Sequence, residues 1–186
     1  MSARIEPLLT VDDLDAMPDD GNHYEIIEGE LIVTRTPGVT HQTICWNIAG
    51  LIRDYLLLNP VGKAWFGLGA VLSNYDAVIP DIFFVSNARL SEVLVTDRIT
   101  GVPDLAIEVI SPGSENARRD RIAKRQLYGK FGVKEYWIVD PEKRNIEVYL
   151  LDGLSLMLHA VYSEGDPLTS SVLLRFTCKV ETVFQQ

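Results

Sequence analysis

Two short runs decide the fold: Val78-Ile79-Pro80-Asp81-Ile82-Phe83-Phe84-Val85 and Leu105-Ala106-Ile107-Glu108-Val109-Ile110. Each is nearly continuous in apolar residues, as a strand covered on both faces is. Each also carries one carboxylate that such a strand does not expect, because burying an unpaired charge is costly. Taken singly, Asp81 could open its strand at a solvated end, and Glu108 could sit in a buried salt bridge. Taken together, two carboxylates on neighbouring strands repel and call for a cation between them. Hard oxygen donors of this kind suit Mg²⁺ or Mn²⁺.

The flanking segments supply the rest of an α/β pattern. Residues 41–58 carry Ile44, Ile48, Leu51, Ile52 and Tyr55 at helical spacing, and Pro60 stops that helix. Upstream, Thr10 can cap a short helix over 11–17, and Tyr24 to Val33 reads as a hairpin turning at Glu28-Gly29. Ala64 to Ser73 reads as a strand broken at Gly67 and Gly69. A second helix is predicted over 116–131, ended by Gly132. Glu135–Val139, Asn145–Leu151, 155–162 and 168–176 read as further strands, with Trp137 in the core. The order is that of one α/β domain over residues 1–186 with a central mixed sheet, flanking helices and additional hairpins.

The chain has 186 residues and a net charge of −9, which argues against nonspecific coating of nucleic acid, since that affinity comes from neutralising phosphates. Any such function needs a local basic surface. Residues 113–130 provide one: six basic residues against two acidic ones give +4, leaving −13 for the remainder. Arg118, Arg121 and Arg125 fall on one helix face and are the expected phosphate contacts. No apolar run approaches the length of a membrane span, and the N-terminal residues lack a signal-peptide core, so a cytoplasmic protein is expected. Cys45 and Cys178 form no metal-type pair and read as buried free thiols.

Four segments, in this order and spacing, resemble the Uma-type family of putative restriction endonucleases, within the PD-(D/E)XK nuclease superfamily. They are Val78 to Asp81, Pro103 to Pro112, Arg119 to Lys124, and Gly132 to Pro141, with Tyr24 to Leu31 similar to the family's N-terminal hairpin. The resemblance runs from about Tyr24 to Leu151. It implies a restriction-endonuclease-like fold in which Asp81 and Glu108 are the metal-binding and catalytic acids. The position two residues after the acid, where the superfamily motif has Lys, is Ile110 here. The resemblance implies that the lysine has moved to the following helix, with Lys124 first and Arg121 second. Glu25 and His41 are additional site candidates. Glu25 could equally face solvent, and His41 could be an exposed helix-start residue. His23 and His159 have no supporting constellation. Asp104 lies about 13 Å along the strand from Glu108 at roughly 3.3 Å per residue, too far to share one ion.

The implied activity is Mg²⁺- or Mn²⁺-dependent hydrolysis of phosphodiester bonds in nucleic acid, expected to be DNA, and double-strand cleavage would favour a homodimer. Two alternatives remain open at this level: an inactive module of the same fold kept for interaction, and a metal phosphoesterase for small nucleotides.

Overall fold

The computed structural model describes residues 8–111 and 118–185, and of residues 119 and 120 the backbone alone. The start of the predicted second helix, over 116–117, and its Ser111-Pro112-Gly113 approach beyond Ser111 lie outside them. The elements are α1 (Val11–Leu14), β1 (His23–Ile27), β2 (Glu30–Thr34), α2 (Val39–Leu58), β3 (Gly62–Phe66), β4 (Ala70–Ser73), β5 (Asp76–Val78), β6 (Ile82–Ser86), α3 (Leu90–Val93), β7 (Leu94–Val95), β8 (Arg98–Thr100) and β9 (Leu105–Val109). After them come a π-helical stretch, Arg119–Lys124, running into α4 (Arg125–Phe131), then β10 (Glu135–Asp140), β11 (Asn145–Asp152), β12 (Ser155–Ser163), β13 (Pro167–Thr169), β14 (Thr177–Lys179) and α5 (Val180–Val183).

The central sheet is mixed, in the order β12-β11-β10-β9-β6-β3, with β9 and β10 parallel and the other pairs antiparallel. The parallel pair requires a crossover, and the helix ending at Phe131 makes it. Gly132 ends that helix at φ +85°, a left-handed conformation that glycine adopts without strain. One face of the sheet packs on α2 through Ile44, Cys45, Ile48 and Ile52. The C-terminal segment completes this cluster with Leu168, Leu173, Phe176, Val180, Val183 and Phe184, so the core extends beyond Leu151. The other face packs on α4 through Leu127 and Tyr128, which meet Tyr136, Ile138 and Tyr149. Trp137 is fully buried, as expected.

The central sheet, flanking helices and hairpins agree with the expected fold class. Three strand expectations are corrected. Val78 to Val85 is not one strand: Pro80 lacks the N–H that a ladder needs, and the chain leaves β5 and enters β6 across Ile79-Pro80-Asp81. Likewise, β3 and β4 are separated by Gly67 to Gly69 and lie in different sheets. The small strands form a second six-stranded sheet, β2-β1-β5-β4-β8-β7, where the sequence showed only hairpins. Of 168–176, only the start is strand; Ser170 Oγ accepts from the N–H groups of Val172 and Leu173 and turns the chain there. The β1–β2 hairpin does turn at Glu28-Gly29, both with positive φ, which suits the right-handed twist of the strands.

Two buried acids tie the architecture together. Glu135 accepts from Trp137 Nε1, Ser171 N–H and hydroxyl, and Val172 N–H, fastening the C-terminal segment to β10. Asp104 accepts from Ser86 N–H at 2.8 Å and pairs with Arg89 and Lys134 at 3.1 and 2.7 Å. Burial pushes the Asp104 carboxyl up, but Lys134, Ser86 and Arg89 outweigh it and hold it below the usual carboxylate range. The unfolded chain therefore binds the proton more readily than the folded one, and stability from this group is present above about pH 4 and lost as pH falls through its lowered pKa. Asp104→Asn should cost about 2–4 kcal/mol at pH 7, since it leaves buried donors poorly matched. That deficit should shrink as pH falls below about 4. Urea unfolding of both proteins across pH 2.5–7 checks it, and a pH-independent deficit would contradict the assignment.

Candidate active site

The π-helical stretch and α4 set the chemistry. On a helix, residues four apart share a face, and Lys124 and Tyr128 both reach Glu108 from the face that covers the sheet. Lys124 Nζ lies 2.9 Å from Glu108 Oε1, and the Tyr128 hydroxyl donates to the same oxygen at 2.8 Å. Lys124 Nζ also lies 2.9 Å from Glu25 Oε1, which accepts from Ile79 N–H at 2.7 Å. The ammonium thus bridges two buried carboxylates, one from β1 and one from β9, and is itself 2% exposed. Burial, reinforced by the charge of Glu108, pushes the Tyr128 hydroxyl well up, so it remains a donor.

Asp81 lies just before β6. The β6–β9 register pairs Ile82 with Ile107, and continuing it by one residue sets Asp81 opposite Glu108. Asp81 is fixed through Oδ2, which accepts from Val109 N–H at 2.7 Å and lies 3.1 Å from His41 Nε2. His41 and Cys45 share a face of α2, and Cys45 Sγ lies 3.5 Å from His41 Nδ1. Burial and then the charges of Asp81 and Glu108 push the Cys45 thiol well up, so it is neutral. With the thiol as donor to Nδ1, the Nε2–H is left to donate to Asp81. One donor atom from each of His41, Cys45 and Asp81 lies within 4.8 Å of the other two.

One open pocket of about 570 Å³ is lined by Glu25, His41, Cys45, Asp81, Glu108 and Lys124, with His23, Arg35 and Gln42 among its other lining residues. The expected carboxylates Asp81, Glu108 and Glu25 therefore meet with Lys124 and His41. The expected repulsion between acids is already offset at Glu108, because Lys124 stands beside it. The donor set fits a hard divalent ion: Asp81 and Glu108 offer carboxylate oxygens from opposed positions, and both donors to Asp81 use Oδ2 alone.

The arginines sit elsewhere. Arg121 is not among the residues that line the pocket. Its guanidinium pairs with Asp140 at 2.7 Å and with Glu147, because these two acids of β10 and β11 lie beneath that helix face. Arg125 stacks over the Tyr149 ring at 5.3 Å, and Arg118 is exposed. Sequence reasoning missed Tyr128, Cys45, taken only as a buried thiol, and His23, which lacked neighbours in sequence. The i, i+4 spacings of Lys124 with Tyr128 and of His41 with Cys45 were the signals available.

Comparison with known proteins bears on this arrangement. No curated protein matches the chain. A crystal structure of a putative nuclease belonging to DUF820 from Anabaena variabilis is similar in fold, with a TM-score of 0.77 at 20% identity over 95% of this chain and 97% of that one. The model of the Uma2 family, putative restriction endonucleases, matches residues 11–181. With that match spanning both sheets and every residue of the pocket wall, the chain belongs to the Uma2 family of putative restriction endonucleases.

Proposed function

We propose that the chain is a Mg²⁺- or Mn²⁺-dependent endonuclease that hydrolyses phosphodiester bonds of DNA. The observation that carries this reading is the meeting of Asp81, Glu108 and Lys124 in one open pocket, two acids set opposite each other and an ammonium from a helix. Asp81 and Glu108 would hold the ion, which when bound polarises the phosphodiester and lowers the pKa of a water. Lys124 donates to a nonbridging phosphate oxygen as its charge grows, or orients the attacking water. Glu25 positions Lys124, Tyr128 positions Glu108, and His41 positions Asp81. The two free cysteines suit a reducing, cytoplasmic setting.

Cleavage of supercoiled plasmid with Mg²⁺ or Mn²⁺, abolished by EDTA and by Asp81→Asn, is the expected result. Hydrolysis of mixed nucleotides without plasmid or single-strand cleavage would move the activity to the small-substrate class. No hydrolysis of either, with no metal binding, would leave an interaction module.

The arginine geometry makes a quantitative prediction about DNA binding. Of the three expected arginines, Arg118 and Arg125 are those left to reach phosphate, so each Ala variant should reduce the slope of log K against log salt by about one unit. Arg121→Ala should leave that slope unchanged and lower stability instead, because Asp140 and Glu147 lose their partner. Filter binding in Ca²⁺ at several salt concentrations, with thermal unfolding of each variant, measures both. A slope change for Arg121→Ala alone would reverse the assignment.

A further inference from the structure

His41, Cys45 and Asp81 are an unusual set to find at the wall of a carboxylate site. A hard ion takes oxygen donors, yet here an imidazole and a thiol stand beside the aspartate, with one donor atom each inside 4.8 Å of the others. Cys45 and His41 are nearly completely buried, and both line the pocket. They are fixed one helical turn apart on α2, whose 20 residues make it the longest helix among the described residues. Imidazole, thiolate and carboxylate are the three ligand types of Zn²⁺, and three protein ligands leave its fourth position open.

We propose that His41, Cys45 and Asp81 form a second metal site, selective for a thiolate-preferring divalent ion such as Zn²⁺. It shares Asp81 with the Mg²⁺ site and so excludes the ion that supports hydrolysis. Only this last consequence rests on the nuclease reading. The Zn–S bond forms as the thiol proton leaves to solvent, and the His41 nitrogen that turns to the ion gives up its present hydrogen-bond partner. Around a tetrahedral ion with bonds of about 2.0–2.3 Å, donor atoms stand roughly 3.3–3.8 Å apart. Loading therefore draws the three side chains inward by about 1 Å at most, within the reach of side-chain torsions on a fixed backbone. Zinc would then act as an inhibitor at the site itself.

Co²⁺ is the probe, because it takes the same ligands and reports a thiolate by charge-transfer absorption in the near ultraviolet. The wild-type protein should bind one Co²⁺ with that band and with tetrahedral visible bands, and Zn²⁺ should displace it. Cys45→Ser should abolish the band, and both it and His41→Ala should weaken Co²⁺ binding by more than about 100-fold. Cys178→Ser should change nothing. Glu108→Gln should keep the band while losing Mn²⁺ binding measured by calorimetry. That separates the two sites, and it lets the thiolate site stand even if no nuclease activity exists. Millimolar Mg²⁺ should compete with Co²⁺ through Asp81. Absence of the band in the wild type, or its persistence in His41→Ala with full affinity, would overturn the site. Co²⁺ binding indifferent to Mg²⁺ would overturn the exclusion.

Discussion

Lys124→Met should be among the most damaging single substitutions both to the metal-free protein and to catalysis. The ammonium bridges Glu25 and Glu108, all three nearly fully buried. Removing one partner of a buried ion pair costs about 3–5 kcal/mol, because the remaining charges lose their compensation. In a chain of this size, 1 kcal/mol shifts the melting temperature by roughly 2–4 °C, so a fall of roughly 6–20 °C is expected. Divalent ions should restore more stability to the variant than to the wild type. At an ion concentration a hundred times Kd the gain is about 2.7 kcal/mol, and in the variant the ion meets carboxylates with no ammonium beside them. Turnover should fall by about 10²–10³, the usual loss for one stabiliser of transition-state charge. Thermal unfolding with and without Mn²⁺, beside initial rates on plasmid, measures both. An unchanged melting temperature would show that the bridge carries no stability, and unchanged turnover that Lys124 has no part in the reaction.

The second large effect is expected from Asp81→Asn, and it is almost wholly functional. The amide keeps an oxygen that can accept from Val109 N–H, so the loss of stability should stay within about 1.5 kcal/mol. The charge that would hold the divalent ion is gone. Cleavage should drop by at least about 10³-fold, which corresponds to about 4 kcal/mol of barrier, and calorimetric titration should show Mn²⁺ affinity lost. Cleavage within tenfold of wild type would remove Asp81 from the reaction.

The parts of this site that were legible in the sequence share one property: they break a pattern. Asp81 and Glu108 stand out because a charge in an apolar run contradicts burial, and Lys124 because the resemblance placed a basic residue on the helix after Glu108. Gly132 and the Glu28-Gly29 turn were readable because their backbone geometry favours particular residues. What stayed hidden depends on how distant segments dock. Glu25 was a candidate, but its partner was not readable: only the packing of β1 against β5 brings it to Lys124. Cys45 and Tyr128 fit their helices as core residues, so nothing local marked them as hydrogen-bonding neighbours of charged groups. Arg121 looked like part of a basic face until Asp140 and Glu147 were seen beneath it. The second sheet escaped notice because several of its strands have only two to four residues, too short for a period-two pattern to register.

The most direct measurement is anomalous diffraction from crystals soaked in Mn²⁺. A Mn²⁺ peak is expected within about 2.3 Å of a carboxylate oxygen from each of Asp81 and Glu108, near the octahedral distances of oxygen-ligated ions, with Lys124 beside Glu108. An empty pocket at millimolar Mn²⁺, or a peak bound by acids elsewhere on the chain and none between Asp81 and Glu108, would contradict it.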